Sequence, residues 1–145
     1  MLRPEQIQTA KRLGLMSSSN MKKIASTESA VKMYGADEVY QMSPTKALLD
    51  SGVPVAIEAD DPENYWPMWN IEKFVTRQDD KGKVWNPSQR VTRREALYMY
   101  TRGCSRYTGD EKTLAQVRHE NGDGGSFGVV HRCKSFPLNP ASIDW

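Results

Sequence analysis

The pattern of apolar and polar residues predicts a first helix, a short strand and a second, weaker helix. Residues 4–13 carry proline in the first turn and apolar residues at three-residue spacing, and Gly14 follows as the stop. Leu15 and Met16 then predict a strand that runs into the polar loop of residues 17–20. Residues 21–33 show only a patchy apolar stripe, which predicts the weak helix.

The clearest unit is a helix followed by a buried strand. Ser43 and Pro44 predict an N-cap and a first helical residue, and Gly52 ends that helix. Residues 53–57 form a continuous apolar run, which is typical of a strand covered on both faces. An acidic loop follows it, and parallel sheets place their chemistry beyond the carboxyl ends of strands. Asp60 therefore occupies the position of a catalytic carboxylate, although a turn that caps the next helix is the favoured explanation from the residues alone.

An aromatic segment, residues 64–77, predicts the next helix. Trp66, Trp69 and Phe74 recur near helical spacing, so packing against the sheet is the favoured explanation for them. The alternative is that Tyr65 and the two tryptophans line a pocket. Arg77 ends the helix as a cation in its last turn, and residues 78–83 predict a solvated loop.

Residues 92–95, Thr-Arg-Arg-Glu, form a capping box and predict a helix over residues 93–106. Gly103 interrupts this helix at a cost of about 1 kcal/mol relative to alanine, and Gly109 stops it. Four side chains are expected to face inward: Ala96, Leu97, Met99 and Tyr100.

Composition and charge narrow the classes of function. The 20 basic and 18 acidic residues are mixed along the chain, without the basic stripe of a nucleic-acid binder. No apolar stretch approaches the roughly 20 residues of a membrane span. Cys104 and Cys133 lie far apart, so reduced thiols in a cytoplasm are expected. His119, His131 and Cys133 lack the paired spacing of a zinc site.

Four phrases of this sequence resemble amidohydrolase family 3. Residues 48–62, Leu-Leu-Asp-Ser-Gly-Val-Pro-Val-Ala-Ile-Glu-Ala-Asp-Asp-Pro, resemble the family's last barrel strand with its leading helix and its Ser-Asp-x-Pro loop. Residues 74–77 are similar to the family's Ala-Val-Thr-Arg segment, and residues 91–101 to its Leu-Thr-Arg-Glu-Glu-Ala-Leu helix. Residues 3–6 with 13–15 match the neighbourhood of strand seven. The phrases stand in the family's order from about residue 3 to residue 114.

The resemblance implies an α/β fold, the last one or two β/α units of a (β/α)8 TIM barrel with C-terminal helices. It implies a divalent metal, usually zinc, and hydrolysis of a C–N bond in an amide or N-acyl substrate, a small molecule. Asp60 matches the carboxylate that touches the metal and takes the proton of the metal-bound water. Arg77 is by the same analogy a candidate for substrate binding.

The sequence departs from the family in three respects. Glu58 and Ala59 replace the family's Gly and Ser before the aspartate. The other metal ligands, among them a His-x-His, have no counterpart in this chain and would lie before Met1. From about Ala115 the family pattern stops, and a shifted reading frame is the hypothesis for the tail. The expected division is residues 1–114 as the C-terminal part of the barrel and 115–145 as a divergent, poorly ordered tail.

These departures predict a fragment that is inactive alone and binds no metal by itself, because one carboxylate cannot replace about three protein ligands. Two other interpretations stay open. One is a small stand-alone α/β binding module that uses Tyr65, Trp66 and Trp69 as an aromatic surface. The other is a partly folded product without a role.

Overall fold

The structure is a computed structural model that describes residues 2–39, 42–58, 66–110 and 112. Two strands run through this part of the chain, β1 (Ser17–Asn20) and β2 (Val55–Glu58). The helices that surround them are α1 (Pro4–Arg12), α2 (Lys22–Ala25), α3 (Thr27–Tyr34), α4 (Ala36–Val39), α5 (Thr45–Asp50), α6 (Pro67–Thr76), α7 (Arg93–Tyr98) and α8 (Cys104–Tyr107). A 3-10 turn at Pro87–Gln89 precedes α7, and a π-helical segment, Met99–Gly103, joins α7 to α8.

The two strands form a parallel sheet, with Ser17 opposite Val55 and Asn20 opposite Glu58. The helices α2 to α5 lie between them in sequence, as a parallel pair requires a crossover connection. The predicted mixed α/β architecture is confirmed at this level. The expected division at residue 114 and the tail of residues 115–145 lie outside the described residues, and both stay predictions.

Both strands differ from the predicted ones. The prediction of a strand at Leu15 and Met16 is wrong, because β1 consists of the polar run that follows them. β2 begins at Val55, two residues after the start of the predicted run, and it ends at Glu58, one residue after the end of that run. Pro54 explains the later start, since it has no N–H to donate, while its carbonyl accepts the Ser17 amide at 2.9 Å.

The two faces of the sheet have different surroundings. Val55 and Ile57 belong to the buried apolar core, together with Leu48, Phe74 and Met99 from the helices. Ser19 lies opposite Ile57, and its hydroxyl is 3.4 Å from the Thr45 hydroxyl at the start of α5. Because side chains alternate along a strand, four other residues face away from this helix layer: Ser18, Asn20, Ala56 and Glu58.

The sequence signals for helix starts and stops correctly predicted the boundary residues of α1 and the start of α7. The helix α1 begins at Pro4, and Gly14 follows it with φ of 65°. The capping box of α7 is present, with the Glu95 amide donating to Thr92 Oγ1 at 3.1 Å and the Thr92 amide to Glu95 Oε2 at 2.7 Å. Ala96 and Met99 are buried as expected, but the inward prediction for Leu97 is wrong, since it is 53% exposed.

Three other helix predictions need correction. The weak helix of residues 21–33 is two helices, α2 and α3, that are separated at Ser26. Ser43 is not an N-cap, because Pro44 takes that position and Ser43 has a left-handed φ of 48°. The aromatic helix is shorter than expected, starting at Pro67 and ending at Thr76.

Gly103 allows the segment from α7 to α8 to approach the sheet closely. A Cβ atom at this position would lie 2.3 Å from the Val55 carbonyl oxygen and 3.3 Å from the Ala56 Cα atom. The helix is not interrupted at Gly103 as predicted but continues through it in π-helical form. The glycine is therefore a packing requirement of the α7–α8 contact with β2.

Candidate functional site

The carboxyl ends of the two strands meet at one edge of the sheet, where parallel α/β proteins place their chemistry. Asn20 ends β1 and Glu58 ends β2, directly opposite each other. A cleft of about 290 Å³ opens beside them, and Ser18, Asn20, Lys23 and Glu58 contribute to its wall. The Asn20 side-chain oxygen accepts the Lys22 amide at 2.9 Å, which fixes that side chain at the strand end.

Asp60, the predicted catalytic and metal-binding carboxylate, lies outside the described residues, as does Tyr65. The last described residue before Asp60 is Glu58, two positions earlier. The role of Asp60 as general base and metal ligand stays a prediction.

Arg77 follows α6 as its C-cap, in a left-handed conformation with φ of 57°. Only 3% of the residue is exposed. Its Nη1 donates to the Ser43 carbonyl at 3.2 Å and its Nε to the Trp85 carbonyl at 3.4 Å. Burial lowers the pKa of Arg77 to about 10, which leaves the guanidinium charged at neutral pH.

Arg77 contacts a residue that lines the cleft at the strand ends. Its partner Ser43 belongs to the cleft wall and precedes Thr45, whose hydroxyl contacts Ser19 near the end of β1. The guanidinium therefore joins residue 43 of the cleft wall to the loop that contains Trp85. Contact between Arg77 and a substrate stays a prediction.

The loop after α6 is organised by Asp79, which sequence analysis missed. Its carboxylate accepts the amides of Lys81 and Lys83, each at 2.9 Å, and the Trp85 indole N–H at 2.7 Å. Burial alone would raise the pKa of Asp79, but these hydrogen bonds outweigh it, and the pKa lies below its usual 3.8. The prediction of a solvated loop is wrong at Asp79, which is buried.

The signal for this loop was present in the sequence. An aspartate three residues before glycine is typical of a tight turn whose side chain binds the following amides. A second buried group, Lys73 of α6, fixes the same loop, because its Nζ donates to the Asp79 carbonyl at 3.2 Å. That ammonium also lies 3.1 Å from the Asp80 carboxylate and 5.1 Å from the centre of the Trp69 ring.

The aromatic residues divide between core and surface. Trp69 packs partly buried against the core, and Phe74 is fully buried, as the packing interpretation predicts. Trp66 contradicts it, since 73% of the residue is exposed. Met68 beside it is 74% exposed.

The described residues of this chain do not by themselves fit a catalytic metal. Within residues 2–39, 42–58, 66–110 and 112, no three His, Cys, Asp or Glu side chains are grouped closely enough to hold an ion. A catalytic zinc takes about three protein ligands. Any catalytic metal would therefore need ligands from outside the described residues.

Comparison with known proteins decides the family. A family profile described as the amidohydrolase family matches residues 1–118. The chain belongs to the amidohydrolase family. This confirms the family that the four sequence phrases predicted, and the amidohydrolase match extends slightly beyond the last of them.

Two solved structures are similar to this amidohydrolase chain, both described as uncharacterized metal-dependent hydrolases. The one from Pyrococcus horikoshii is 24% identical with a TM-score of 0.68, covering 76% of this chain and 23% of that chain. The one from Pyrococcus furiosus is 27% identical with a TM-score of 0.65, covering 77% of this chain and 23% of that chain. The chain thus spans about a quarter of these hydrolases. No curated protein matches it.

None of the helices in the described ranges is both long and apolar enough to cross a membrane.

Proposed function

We propose that this chain forms the last two β/α units of a metal-dependent amidohydrolase barrel that hydrolyses C–N bonds in amide or N-acyl small molecules. In this proposal Asp60 is the chain's contribution to a zinc centre and its general base. The enzyme is cytoplasmic, and the chain without the remaining barrel is inactive. The observation that carries the proposal is the parallel β1–β2 pair inside an amidohydrolase match.

Strand alternation supports the role of Asp60. Ala56 and Glu58 face away from the helix layer, on the side that becomes the interior when such a sheet closes into a barrel. One further period of two residues predicts that Asp60 faces the same interior. A carboxylate there would lie at the mouth of the barrel, where the enzymes of this architecture carry their catalytic residues.

The size of the chain supports inactivity in isolation. A barrel of this type has eight strands and about 250 residues, whereas the described residues contribute two strands. The outer edges of such a two-stranded sheet have no further strand within the described ranges. Asp60 is a single carboxylate, so the remaining metal ligands must come from the rest of the enzyme.

Complementation with a truncated relative tests the proposal. The hydrolase from Pyrococcus furiosus is shortened by the region that this chain matches and is co-expressed with the 145-residue chain. We expect a complex that retains zinc, measured by metal analysis, and that hydrolyses members of an N-acyl amide panel.

Two single substitutions separate the role of Asp60 from its charge. Asp60→Asn is expected to reduce the hydrolysis rate by about 100-fold or more, the usual contribution of a general base. Asp61→Asn removes the same charge from the next residue and is the matched control, with activity retained. Equal activity in both variants would refute the role of Asp60. Stoichiometric zinc and amidase activity in the isolated chain would refute its inactivity.

The exposed Trp66 and Met68 favour a second candidate function, a stand-alone binding module. Large apolar side chains that lie next to each other on a surface mark interaction sites when they form a patch. A cooperative melt with a monodisperse monomer would favour this module over a partly folded product. Failure of the complementation experiment together with such a melt would favour it over the enzyme.

A further inference from the structure

The guanidinium of Arg77 is buried without a counter-charge. Arginine has five N–H donors, and two of those of Arg77 are used, by the carbonyls of Ser43 and Trp85. No Asp or Glu in the described part of the chain forms an ion pair with it. A buried charge without a partner is strongly destabilising, so this position favours a negatively charged ligand.

A small cavity adjoins this guanidinium. Arg77, Trp85 and Asn86 form one part of its wall, and Lys23 and Thr27 form another. Three apolar residues complete it: Ala36, Val39 and Met42. The space open to the centre of a water-sized particle is about 10 Å³, which is room for about one such particle. The buried Arg77 and the exposed Lys23 are therefore both among the residues around a space with room for a single small ligand.

Backbone strain is concentrated around the same cavity. Within the described ranges, the non-glycine residues with left-handed φ are Ser43, Arg77 and Asn86, at 48°, 57° and 46°. Ser43 accepts a hydrogen bond from Arg77, and Asn86 contributes to the cavity wall beside it. Such conformations cost of order 1–3 kcal/mol each and cluster at ligand clamps and active sites. The strain and the unpaired charge thus occur at one place.

We propose that this cavity binds one small monovalent anion, held by the remaining N–H groups of Arg77 and by the charge of Lys23. A halide ion and the end of a small carboxylate share this chemistry. The anion would neutralise the guanidinium and join α6 to the segment that contains Ser43. The site does not require the hydrolase activity.

Thermal unfolding of the full chain tests the site. Sodium chloride and sodium formate are each compared with sodium gluconate, whose bulky anion cannot enter the cavity, at constant ionic strength. We expect Tm to rise with the concentration of the small anion, because a ligand that binds only the folded state stabilises it. The width of the ³⁵Cl NMR line, measured with and without the chain, reports chloride binding directly.

Substitutions locate the effect. Lys23→Gln removes one of the two cations and is expected to reduce the dependence of Tm on chloride. Lys11→Gln makes the same change of charge on α1, outside the cavity wall, and should leave the dependence unchanged. Arg77→Lys keeps the charge but loses the planar donor group, so we expect a weaker response. If that variant does not fold, the comparison of Lys23→Gln with Lys11→Gln still tests the site.

The outcomes separate the two sources of the anion. A Tm that rises with chloride alone would assign the site to a halide. A larger rise with formate, together with loss of the ³⁵Cl broadening when formate is added, would assign it to a carboxylate. Equal melts in all three salts with no ³⁵Cl broadening would overturn the proposal, as would an equal response of Lys23→Gln and Lys11→Gln.

Discussion

Replacement of Gly103 by alanine tests the contact between the terminal helix and the sheet. The added methyl group would stand 2.3 Å from the Val55 carbonyl oxygen. This distance is far inside the 3.5–4.0 Å at which non-bonded carbon atoms attract each other. The obstacle is a backbone atom, so a change of side-chain rotamer cannot relieve the clash. Either the helix or β2 must move.

The magnitude follows from two opposing effects. Overpacking of a well-packed core costs typically 1–3 kcal/mol, and a clash with backbone belongs at the upper end of that range. Alanine recovers about 1 kcal/mol of helix propensity relative to glycine. We therefore expect Gly103→Ala to lower the free energy of unfolding by about 2 kcal/mol, although alanine is the better helix former.

Urea unfolding followed by circular dichroism measures this difference. Leu97→Ala on the same helix is the control, because Leu97 is exposed and its truncation should change stability only slightly. The substitution Ala56→Gly trims the neighbouring strand but leaves the Val55 carbonyl in place, so it should not rescue Gly103→Ala. A free energy of unfolding of Gly103→Ala that equals or exceeds that of the wild type would refute the close approach of residue 103 to β2.

Three further substitutions probe a helix cap and two buried polar side chains. Thr92→Ala removes the hydroxyl that accepts the Glu95 amide and should cost about 1 kcal/mol in urea unfolding; no loss would contradict the cap. Asn70 is fully buried, and neither polar atom of its side chain has a partner in the described chain, so Asn70→Leu should raise stability by about 1 kcal/mol; a loss would mean that the amide is bonded. The pKa of Asp79 is lowered on folding, so its stabilisation is present above about pH 4 and is lost as the pH falls through the folded pKa. The stability difference between wild type and Asp79→Asn should therefore narrow as the pH falls below the usual aspartate pKa of 3.8, and a constant difference would contradict the Asp79 hydrogen bonds.

The elements that the sequence predicted correctly depend on local interactions. Pro4 at the start of α1, the Thr92 capping box and the glycines that follow α1 and α8 act within one or two turns of their own position. The core strand β2 was predicted correctly because a short, continuous apolar run fits few structures other than a buried strand. In each case the residues that determine the structure are neighbours in sequence, so their spacing is sufficient.

The elements that were missed depend on partners far along the chain. β1 is polar, and it forms because its backbone pairs with β2, while Ser19 finds the Thr45 hydroxyl 26 positions later. Arg77 was interpreted as a cation in the last turn, but its guanidinium crosses to the carbonyl of residue 43. The periodicity of the sequence does not predict such contacts, because each joins only two residues that the fold brings together.

The two faces of the sheet explain why the fold was easier to predict than the site. The face with Val55 and Ile57 is covered by helices, and burial of that apolar surface stabilises the chain. The opposite face is small or polar, with Ser18 and Asn20 beside Ala56 and Glu58. Apolar patterning identifies only the first face, because the second face carries little apolar surface. In the barrel that we propose, the chemistry of the second face would also depend on groups from other strands. On this reasoning, the helix layer can form on two strands, whereas the catalytic interior of the proposed barrel would require further strands.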